Sequence, residues 1–199
     1  MPDEARLVAI ADRLERPGFA AVPSFLGDGQ VAALRQLALA RHAAGAFRRA
    51  AIGTGERRQV RDDLRGDEIL WMPPEPTGPE RALLDVLESL RLTLNRELAL
   101  GLFELECHYA LYPPGKAYAR HLDRFATGAS RVVSCILYLN EGWTAADGGM
   151  LRLYADEEVV DVLPEGGTLV AFLSERFWHE VLPATRPRLS LTGWFRRRA

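Results

Sequence analysis

The sequence predicts an α+β fold in which helices come first and an antiparallel sandwich or jelly roll follows. Up to about residue 98, the longer segments repeat apolar residues at helical spacing. After residue 101 the pattern changes to short β-rich runs, which Gly, Pro and Asn separate at intervals of one strand plus one turn. Several of these runs are apolar on both faces, as strands inside a two-layer sandwich are. A length of 199 residues fits a single domain of this kind, covering 1–199.

Ordinary start and stop signals delimit the predicted helices. Residues 3–15 carry an apolar helical stripe that ends at Pro17, and the following FAAVPSF predicts a short strand. Asp28 is a candidate N-cap for a second helix that runs to about residue 44. A third helix is predicted over 79–98, with a proline in its first turn. The segments 1–44 and 79–98 are therefore expected to be the supporting helices of a β-rich core over 101–195.

The segment 45–64 has no apolar period and is rich in Arg, Gly and Asp. Such a long irregular segment in a compact domain is usually mobile or functional. The next apolar run, DEILW at 67–71, predicts a short strand. We therefore expect a mobile or functional loop between the second helix and this strand.

Charge and cysteine content narrow the class of partner and the compartment. The net charge of −2 argues against a general attraction to nucleic acid. Cys107 and Cys135 lie in apolar runs and make no disulfide framework, so we predict buried, reduced thiols, which suit the cytoplasm. No segment approaches the roughly 18 apolar residues that span a bilayer. We expect neither a membrane span nor a signal peptide.

The segment YARHLD places His121 two residues before Asp123. In a strand these two side chains would point to the same face, either as an ordinary hydrogen-bonded pair or as part of a metal site. A third donor would come from His42, His108 or His179. His42 lies late in a predicted helix, where a structural role is expected, and His179 begins a short apolar strand. Two histidines and one carboxylate on one face of a metal are typical of non-haem Fe(II) oxygenases.

A second polar group is predicted inside the sandwich, in the segment RPRLSLTGWF. On a strand, Arg188, Ser190, Thr192 and Trp194 share one face and the leucines share the other. An arginine on an inner face is costly unless it meets an anion, and its fork matches a carboxylate. Tyr138 is a further donor on an otherwise apolar strand. A dicarboxylate held between this group and a metal is one explanation, and a buried Arg–Asp ion pair beside a core tyrosine is the other.

The order H-x-D, H and R, with YLN and a GG turn between, resembles the Fe(II)/2-oxoglutarate dioxygenases. YPPGKAYARHLD, RVVSCILYLNEGW, GGMLRLY and HEVLPATRPRLSLTGWF are more similar still to the prolyl 4-hydroxylase family. The greatest similarity is to the hypoxia-sensing prolyl hydroxylases and their bacterial relatives. VRDDLRGDEILW resembles the stretch of that subgroup that follows a mobile, substrate-covering loop. The resemblance covers roughly 45–195 and implies a double-stranded β-helix (jelly-roll) core with the N-terminal helices packed on one sheet.

The resemblance also implies a role for individual residues. The implied iron ligands are His121, Asp123 and His179. The residues implied to bind 2-oxoglutarate are Arg188, Tyr138, Thr192 and Tyr112. The residues implied to bind a peptide substrate, with 45–64 as its covering loop, are Arg65, Asp67, Trp71, Tyr118, Arg131 and Trp194. Ordinary explanations stay open for the last group, because the tryptophans would also suit the core and Asp67 with Arg131 would also suit a surface ion pair.

The activity implied by the resemblance is protein prolyl 4-hydroxylation with Fe(II), 2-oxoglutarate and O2, with ascorbate as reductant and oxygen sensing as a property of the subgroup. Bacterial relatives act on a proline of elongation factor Tu, which is therefore the candidate partner. We expect a monomer that binds neither nucleic acid nor membranes. Three alternatives stay open, namely a 2-oxoglutarate oxygenase of a small amino acid, an oxygenase of alkylated nucleic acid bases, and a sandwich binding module that keeps a metal for stability.

Overall fold

The computed structural model of the chain describes residues 3–52, 59–61, 63–76, 78–123, 131–156 and 158–198. The helices are α1 (Glu4–Glu15), α2 (Asp28–Ala43) and α3 (Gly78–Leu98). The strands are β1 (Phe19–Val22), β2 (Arg48–Arg49), β3 (Glu68–Trp71), β4 (Glu104–Tyr112), β5 (Tyr118–His121), β6 (Arg131–Tyr138), β7 (Leu151–Ala155), β8 (Glu158–Val162), β9 (Leu169–Leu173), β10 (Trp178–Val181) and β11 (Arg188–Arg196).

The strands form two antiparallel sheets. The larger sheet has seven strands in the order β1-β9-β6-β11-β4-β3-β2, and the smaller has four in the order β5-β10-β7-β8. The centre of the larger sheet is β11, which pairs with β4 from Arg188↔Tyr112 to Arg196↔Glu104 and with β6 on its other side. Strands that are distant in sequence thus become neighbours, as in a jelly roll. The predicted α+β jelly-roll class is confirmed.

The helices begin and end close to the predicted residues. In α1 the Asp3 carboxylate accepts a hydrogen bond from the Arg6 backbone N–H at 2.8 Å, which caps the first turn. The prediction for α2 was wrong in one detail, because Gly27 is the N-cap and Asp28 is the first helical residue. A carboxylate in the first turn still interacts favourably with the positive end of the helix dipole.

The helices pack on the outer face of the larger sheet. A single apolar cluster joins α1, α2 and α3 to the side chains of that sheet, including Leu90, Leu137 and Phe195. A fully buried carboxylate adds a polar connection between these layers. Glu80 in α3 accepts hydrogen bonds from Arg41 of α2 at 2.5 Å and from the Tyr109 hydroxyl of β4 at 3.0 Å. Because both partners satisfy the charge, the carboxylate is tolerated in the core.

Part of the predicted loop belongs to the sheet. Arg48–Arg49 forms β2, which pairs with β3 at the edge of the larger sheet. Phe47 and Ala50 on either side of this strand are buried. The residues 53–58 and 62 of the same segment lie outside the described residues. Because β2 consists of two arginines, its pairing with β3 gives no alternation of apolar and polar residues that a periodicity argument could detect.

A two-residue period divides the side chains of β11 between two environments. Leu189, Leu191 and Phe195 face the helices in the outer cluster. The alternate residues Arg188 and Thr192 line a space between the two sheets. The strand therefore presents polar groups to the interior of the sandwich, where the two inner sheet faces otherwise bury an apolar cluster.

Both cysteines lie on the helix side of the larger sheet. Cys107 and Cys135 are free and buried, as predicted. They flank Gly193 of β11, and a Cβ at that position would lie 2.8 Å from the Cys107 Cβ. A larger residue would therefore force the two strands apart. Within the described part of the chain, none of the helices is both long enough and apolar enough to cross a membrane.

Candidate active site

The pairing of two short strands brings the candidate metal ligands together. His179 of β10 lies directly opposite His121 of β5 in the smaller sheet. Asp123 follows two residues later, past the end of β5, so only His121 of the H-x-D pair is in a strand. One donor atom from each of the three residues lies within 4.8 Å of the others. The His121 Nε2 is 3.7 Å from Asp123 Oδ1, and the His179 Nε2 is 3.6 Å from Asp123 Oδ2.

Backbone carbonyls determine which ring nitrogen faces the centre of this group. The Nδ1 of His121 lies 2.8 Å from the Ala119 oxygen, and the Nδ1 of His179 lies 3.0 Å from the Phe177 oxygen. Because a carbonyl can only accept, each Nδ1 carries the proton and donates it. Both Nε2 atoms therefore present lone pairs next to the carboxylate, which is the arrangement found in metal-binding histidines.

Electrostatics favour the protonation states that a divalent metal needs. Burial, assisted by the neighbouring His179, lowers the pKa of His121 to about 4. Burial alone would raise the pKa of Asp123, but the two histidines, together with the hydrogen bonds that the carboxylate accepts, hold that pKa below its ordinary value. Metal binding requires neutral imidazoles and an ionised carboxylate. The donor set of two nitrogens and one oxygen fits Fe(II).

The other candidate third ligands lie elsewhere. His42 in α2 contacts Glu68 of β3, with its Nε2 2.7 Å from a carboxylate oxygen. His108 of β4 is buried, and its ring lies 4.9 Å from the Trp71 ring and 5.5 Å from the Trp194 ring. Its own Nδ1 lies 3.0 Å from the Tyr109 oxygen. Of the candidate third ligands, only His179 joins His121 and Asp123 among the described residues.

A cavity extends from this group into the space between the sheets. Polar residues from both the metal end and the rim contribute to its wall, together with a few apolar residues of the two sheets. The lining residues are Arg65, Asp67, His108, Ala110, Tyr112, Tyr118, His121, Asp123, Arg131, Ile136, Leu151, His179, Val181, Arg188, Thr192 and Trp194. Two predicted site residues, Tyr138 and Trp71, are not part of this wall.

A buried guanidinium lies in the wall of the cavity. Arg188 is 1% exposed, and its Nε donates a hydrogen bond to the Gly149 carbonyl at 2.7 Å. Its guanidinium carbon lies 5.3 Å from the centre of the Tyr112 ring and 5.0 Å from that of Tyr138. Gly149 has φ of +70°, and a Cβ there would lie 3.2 Å from the Arg188 Cδ. The glycine thus allows the backbone to approach the arginine closely enough to hold it.

This guanidinium has no carboxylate partner among the described residues, so the buried Arg–Asp pair considered above is not observed. Instead, the hydroxyls of Tyr138 and Ser190 are buried and find no hydrogen-bond partner in the part of the chain that the structure describes. Burial raises the pKa of Tyr138 to about 12, although Arg188 opposes this shift, so the phenol keeps its proton. A buried cation beside unsatisfied donors is costly unless an anion completes it. The pocket therefore fits a carboxylate such as one end of 2-oxoglutarate.

Ion pairs and stacked rings form the rim of the cavity. Asp67 is fully buried and accepts two hydrogen bonds from Arg65, at 2.7 and 2.9 Å. The Arg65 guanidinium lies 4.8 Å from the Tyr118 ring, which in turn stacks on His121 at 3.6 Å. Although burial opposes it, the pair with Asp67 raises the pKa of Arg65. A surface ion pair is thus the wrong description of Asp67, because this carboxylate is buried.

The two tryptophans predicted to contact a peptide have different environments. Trp194 is buried, and the Arg131 guanidinium lies 3.4 Å from its ring centre while donating to Glu106 at 2.8 Å. Trp71 is 47% exposed, and its ring makes an edge-to-face contact with the ring of His108, which is part of the cavity wall. Trp71 is therefore an exposed surface aromatic next to the opening and no core residue.

Sequence reasoning did not identify several residues that support the site. His108 was considered only as a metal ligand, although it is part of the cavity wall. Gly149 was noted only as part of a GG turn, although its carbonyl holds Arg188. Ser134 and Ser174 lie in apolar runs, where a single serine gives no functional signal, yet their hydroxyls connect to Asp123.

Comparisons with known proteins agree with this site. Residues 107–196 match the family model described as the 2OG-Fe(II) oxygenase superfamily. The human prolyl hydroxylase EGLN3 is 30% identical over 204 residues, which cover 97% of this chain and 84% of that protein.

Two solved structures are similar over nearly the whole chain. A prolyl-4-hydroxylase from Pseudomonas putida is 46% identical with a TM-score of 0.87, and the match covers 97% of this chain and 100% of that one. A prolyl hydroxylase from Trichoplax adhaerens, solved in complex with a peptide fragment of the hypoxia inducible factor oxygen degradation domain, is 30% identical with a TM-score of 0.86, covering 96% and 89%. The chain therefore belongs to the prolyl hydroxylases of the 2OG-Fe(II) oxygenase superfamily and is an enzyme that depends on Fe(II) and 2-oxoglutarate.

Proposed function

We propose that the chain hydroxylates C4 of a proline in a protein substrate, and that the cavity between the two sheets is its active site. The observation that supports this best is the presence of two incomplete groups in one cavity. The His–Asp–His group has an oxygenase donor set, and Arg188 is a buried cation that no carboxylate of the described residues pairs with. When bound, Fe(II) supplies the reactivity that couples O2 and 2-oxoglutarate to hydroxylation, with succinate and CO2 as the other products.

At one end of the cavity, we assign metal binding to His121, Asp123 and His179. The two carbonyl contacts orient the imidazoles before any metal arrives, so little reorganisation is needed on binding. Stacking of Tyr118 on His121 further restricts that ring. Three protein donors leave coordination positions for a cosubstrate and O2.

At the other end, we assign the distal carboxylate of 2-oxoglutarate to Arg188. The Nε of Arg188 is already bound to Gly149, which fixes the plane of the guanidinium and turns its remaining donors toward one ligand. Tyr138 offers a protonated phenol within contact of the guanidinium. Thr192 and Tyr112 complete the wall near this end. These residues position the cosubstrate and exclude water from it.

The rim is the part of the cavity that we assign to the peptide. Asp67 is held rigidly by Arg65, so its position is well defined for a peptide backbone. Trp71, Tyr118 and Trp194 supply flat apolar surfaces that suit a proline ring. Arg131 lies over Trp194 and would interact with a polar group of the substrate.

As the first protein substrate we propose elongation factor Tu, because the bacterial relatives that the sequence resembles act on a proline of that factor. The free cysteines of the chain suit the cytoplasm, where this factor is found. The Trichoplax relative supports a peptide-binding rim more generally, since it was solved with a peptide. We further propose that the enzyme is a monomer, that ascorbate serves as its reductant, and that its rate responds to oxygen concentration.

Mass spectrometry tests the substrate directly. A proline-containing peptide of elongation factor Tu is incubated with the enzyme, Fe(II), 2-oxoglutarate and ascorbate in air. The expected result is the gain of one oxygen atom on the proline, with an equal amount of succinate. The same peptide with alanine in place of the proline, and the His179→Ala enzyme, serve as controls that should show no gain.

The pattern of failure separates the substrate from the activity. Succinate formation without a mass gain would remove elongation factor Tu and leave the oxygenase in place. The absence of both products in a metal-loaded, folded enzyme would contradict the assignment of the cavity. Repeating the reaction at graded oxygen concentrations and without ascorbate measures how the rate depends on oxygen and on ascorbate.

A further inference from the structure

Two buried serines connect the Asp123 carboxylate to the larger sheet. The Ser134 hydroxyl of β6 donates a hydrogen bond to Asp123 Oδ2 at 2.7 Å. The Ser174 hydroxyl, one residue past β9, lies 2.9 Å from the Ser134 hydroxyl. Both serines are 0% exposed. Water therefore does not compete for these hydrogen bonds, and each donor has few alternative partners.

The number of available protons determines which group donates in each of these two hydrogen bonds. A carboxylate at neutral pH only accepts, so Ser134 must use its single proton on Asp123. The contact between the two serines then requires the proton of Ser174, which donates to the Ser134 oxygen. The order of donation is Ser174 to Ser134 to Asp123. In a low-dielectric interior, consecutive hydrogen bonds of this kind strengthen one another.

The serines are anchored in the sheet, whereas Asp123 is not part of a strand. Ser134 lies opposite Phe172 in the pairing of β6 with β9. The backbone N–H of Ser174 donates to the Val132 carbonyl at 3.0 Å, which continues that pairing past the end of β9. Asp123 lies two residues beyond the end of β5. Strand pairing thus fixes the positions of the two serines, and their hydrogen bonds hold the Asp123 carboxylate in place.

We infer that Ser134 and Ser174 are positioning residues that hold Oδ2 of Asp123 and leave Oδ1 as the oxygen for the metal. This inference rests on the proposed metal site. A ligand held in place before binding loses less conformational freedom when the metal arrives, so affinity should depend on the hydroxyls. A hydroxyl pair with a purely structural role would stabilise the fold equally with and without metal.

Titration with Mn(II) tests the inference without using catalysis. Free Mn(II) is measured by electron paramagnetic resonance in the wild type and in Ser134→Ala, Ser134→Thr and Ser174→Ala. We expect Ser134→Ala to weaken Mn(II) binding by about 10- to 100-fold, as is usual when a partner of a metal ligand is removed. Ser174→Ala should weaken it less, because Ser134 still donates to Asp123. Ser134→Thr keeps the hydroxyl and should bind more tightly than Ser134→Ala.

The matched control is Cys135→Ala, which alters the next residue of β6 on the side facing the helices and should leave Mn(II) affinity unchanged. Thermal unfolding of the metal-free proteins measures the structural effect separately. If folded Ser134→Ala and Ser174→Ala bind Mn(II) as the wild type does, the inference is wrong. If Ser134→Ala does not fold, the affinity of Ser174→Ala decides in the same way. A wild type that binds no Mn(II) would instead overturn the metal site itself.

Discussion

Replacing Arg188 with methionine should raise the concentration of 2-oxoglutarate that the enzyme needs while leaving the metal site intact. Methionine keeps an unbranched apolar stem in the buried strand position, so most of the packing of the arginine is retained. It removes the buried cation that the cavity offers to a distal carboxylate near Tyr138. Removing one partner of a buried, hydrogen-bonded charge pair costs about 2–5 kcal/mol. Affinity for 2-oxoglutarate should therefore fall by about 30-fold to about 4,000-fold.

The assay is binding of 2-oxoglutarate to the Mn(II)-loaded protein by calorimetry, together with a separate Mn(II) titration. Arg152→Met is the matched control, because Arg152 pairs with Asp161 on the outer face of the smaller sheet and is far less buried. The control should bind both ligands normally. If Arg188→Met loses Mn(II) to the same extent as His179→Ala does, or binds 2-oxoglutarate as tightly as the wild type, then Arg188 is a structural residue and the reasoning is refuted.

Three further predictions concern other parts of the cavity. His121→Ala and His179→Ala should each abolish Mn(II) binding and turnover, since two protein donors do not hold the ion, and near-normal binding in a Mn(II) titration would contradict the ligand assignment. Trp71→Ala should raise the KM for a peptide substrate without changing the KM for 2-oxoglutarate, because Trp71 is exposed beside the opening; equal effects on both constants in steady-state kinetics would argue against a peptide contact. Burial lowers the pKa of His108 to about 4, so its neutral form stabilises the fold above pH 6.5, and this stability is lost as the pH falls from 6.5 toward 4. When the pH falls from 7.5 to 5, the free energy of unfolding of the metal-free protein, measured with urea, should therefore decrease by about 2 kcal/mol less in His108→Met than in the wild type. An identical decrease in the two proteins would contradict this role of His108.

Local periodicity predicted those parts of the site that lie within one strand. The alternation along β11 places Arg188 and Thr192 on the inner face because a strand repeats every two residues, whatever the rest of the fold is. The H-x-D spacing was informative for the same reason, although Asp123 lies past the end of β5. The three helices were predictable because each carries a long apolar stripe.

Long-range pairing could not be derived from the residues alone. The site depends on His179 lying opposite His121, and that register connects strands that are 58 positions apart in the sequence. Spacing alone left His108 and His179 open as the third ligand, with His42 expected to be structural. The resemblance to a family supplied this choice, whereas spacing and composition did not.

The roles of small polar residues in apolar runs also could not be predicted from the sequence. Ser134 in RVVSCILY and Ser174 in AFLSE look like ordinary tolerated serines, because a hydroxyl carries no periodic signal. Their importance appears only in the folded structure, where Ser134 donates to Asp123 and Ser174 lies against Ser134. The strand formed by Arg48–Arg49 was missed for a similar reason, since its pairing with β3 uses backbone hydrogen bonds and needs no apolar side chains.

A crystal structure of the protein grown with Mn(II) and 2-oxoglutarate in the absence of O2 tests the central claim most directly. We predict one Mn(II) ion bound by His121, Asp123 and His179, with the distal carboxylate of 2-oxoglutarate on the guanidinium of Arg188. The claim is contradicted if the ion binds elsewhere, or if the far carboxylate lies away from Arg188 while the metal is in place.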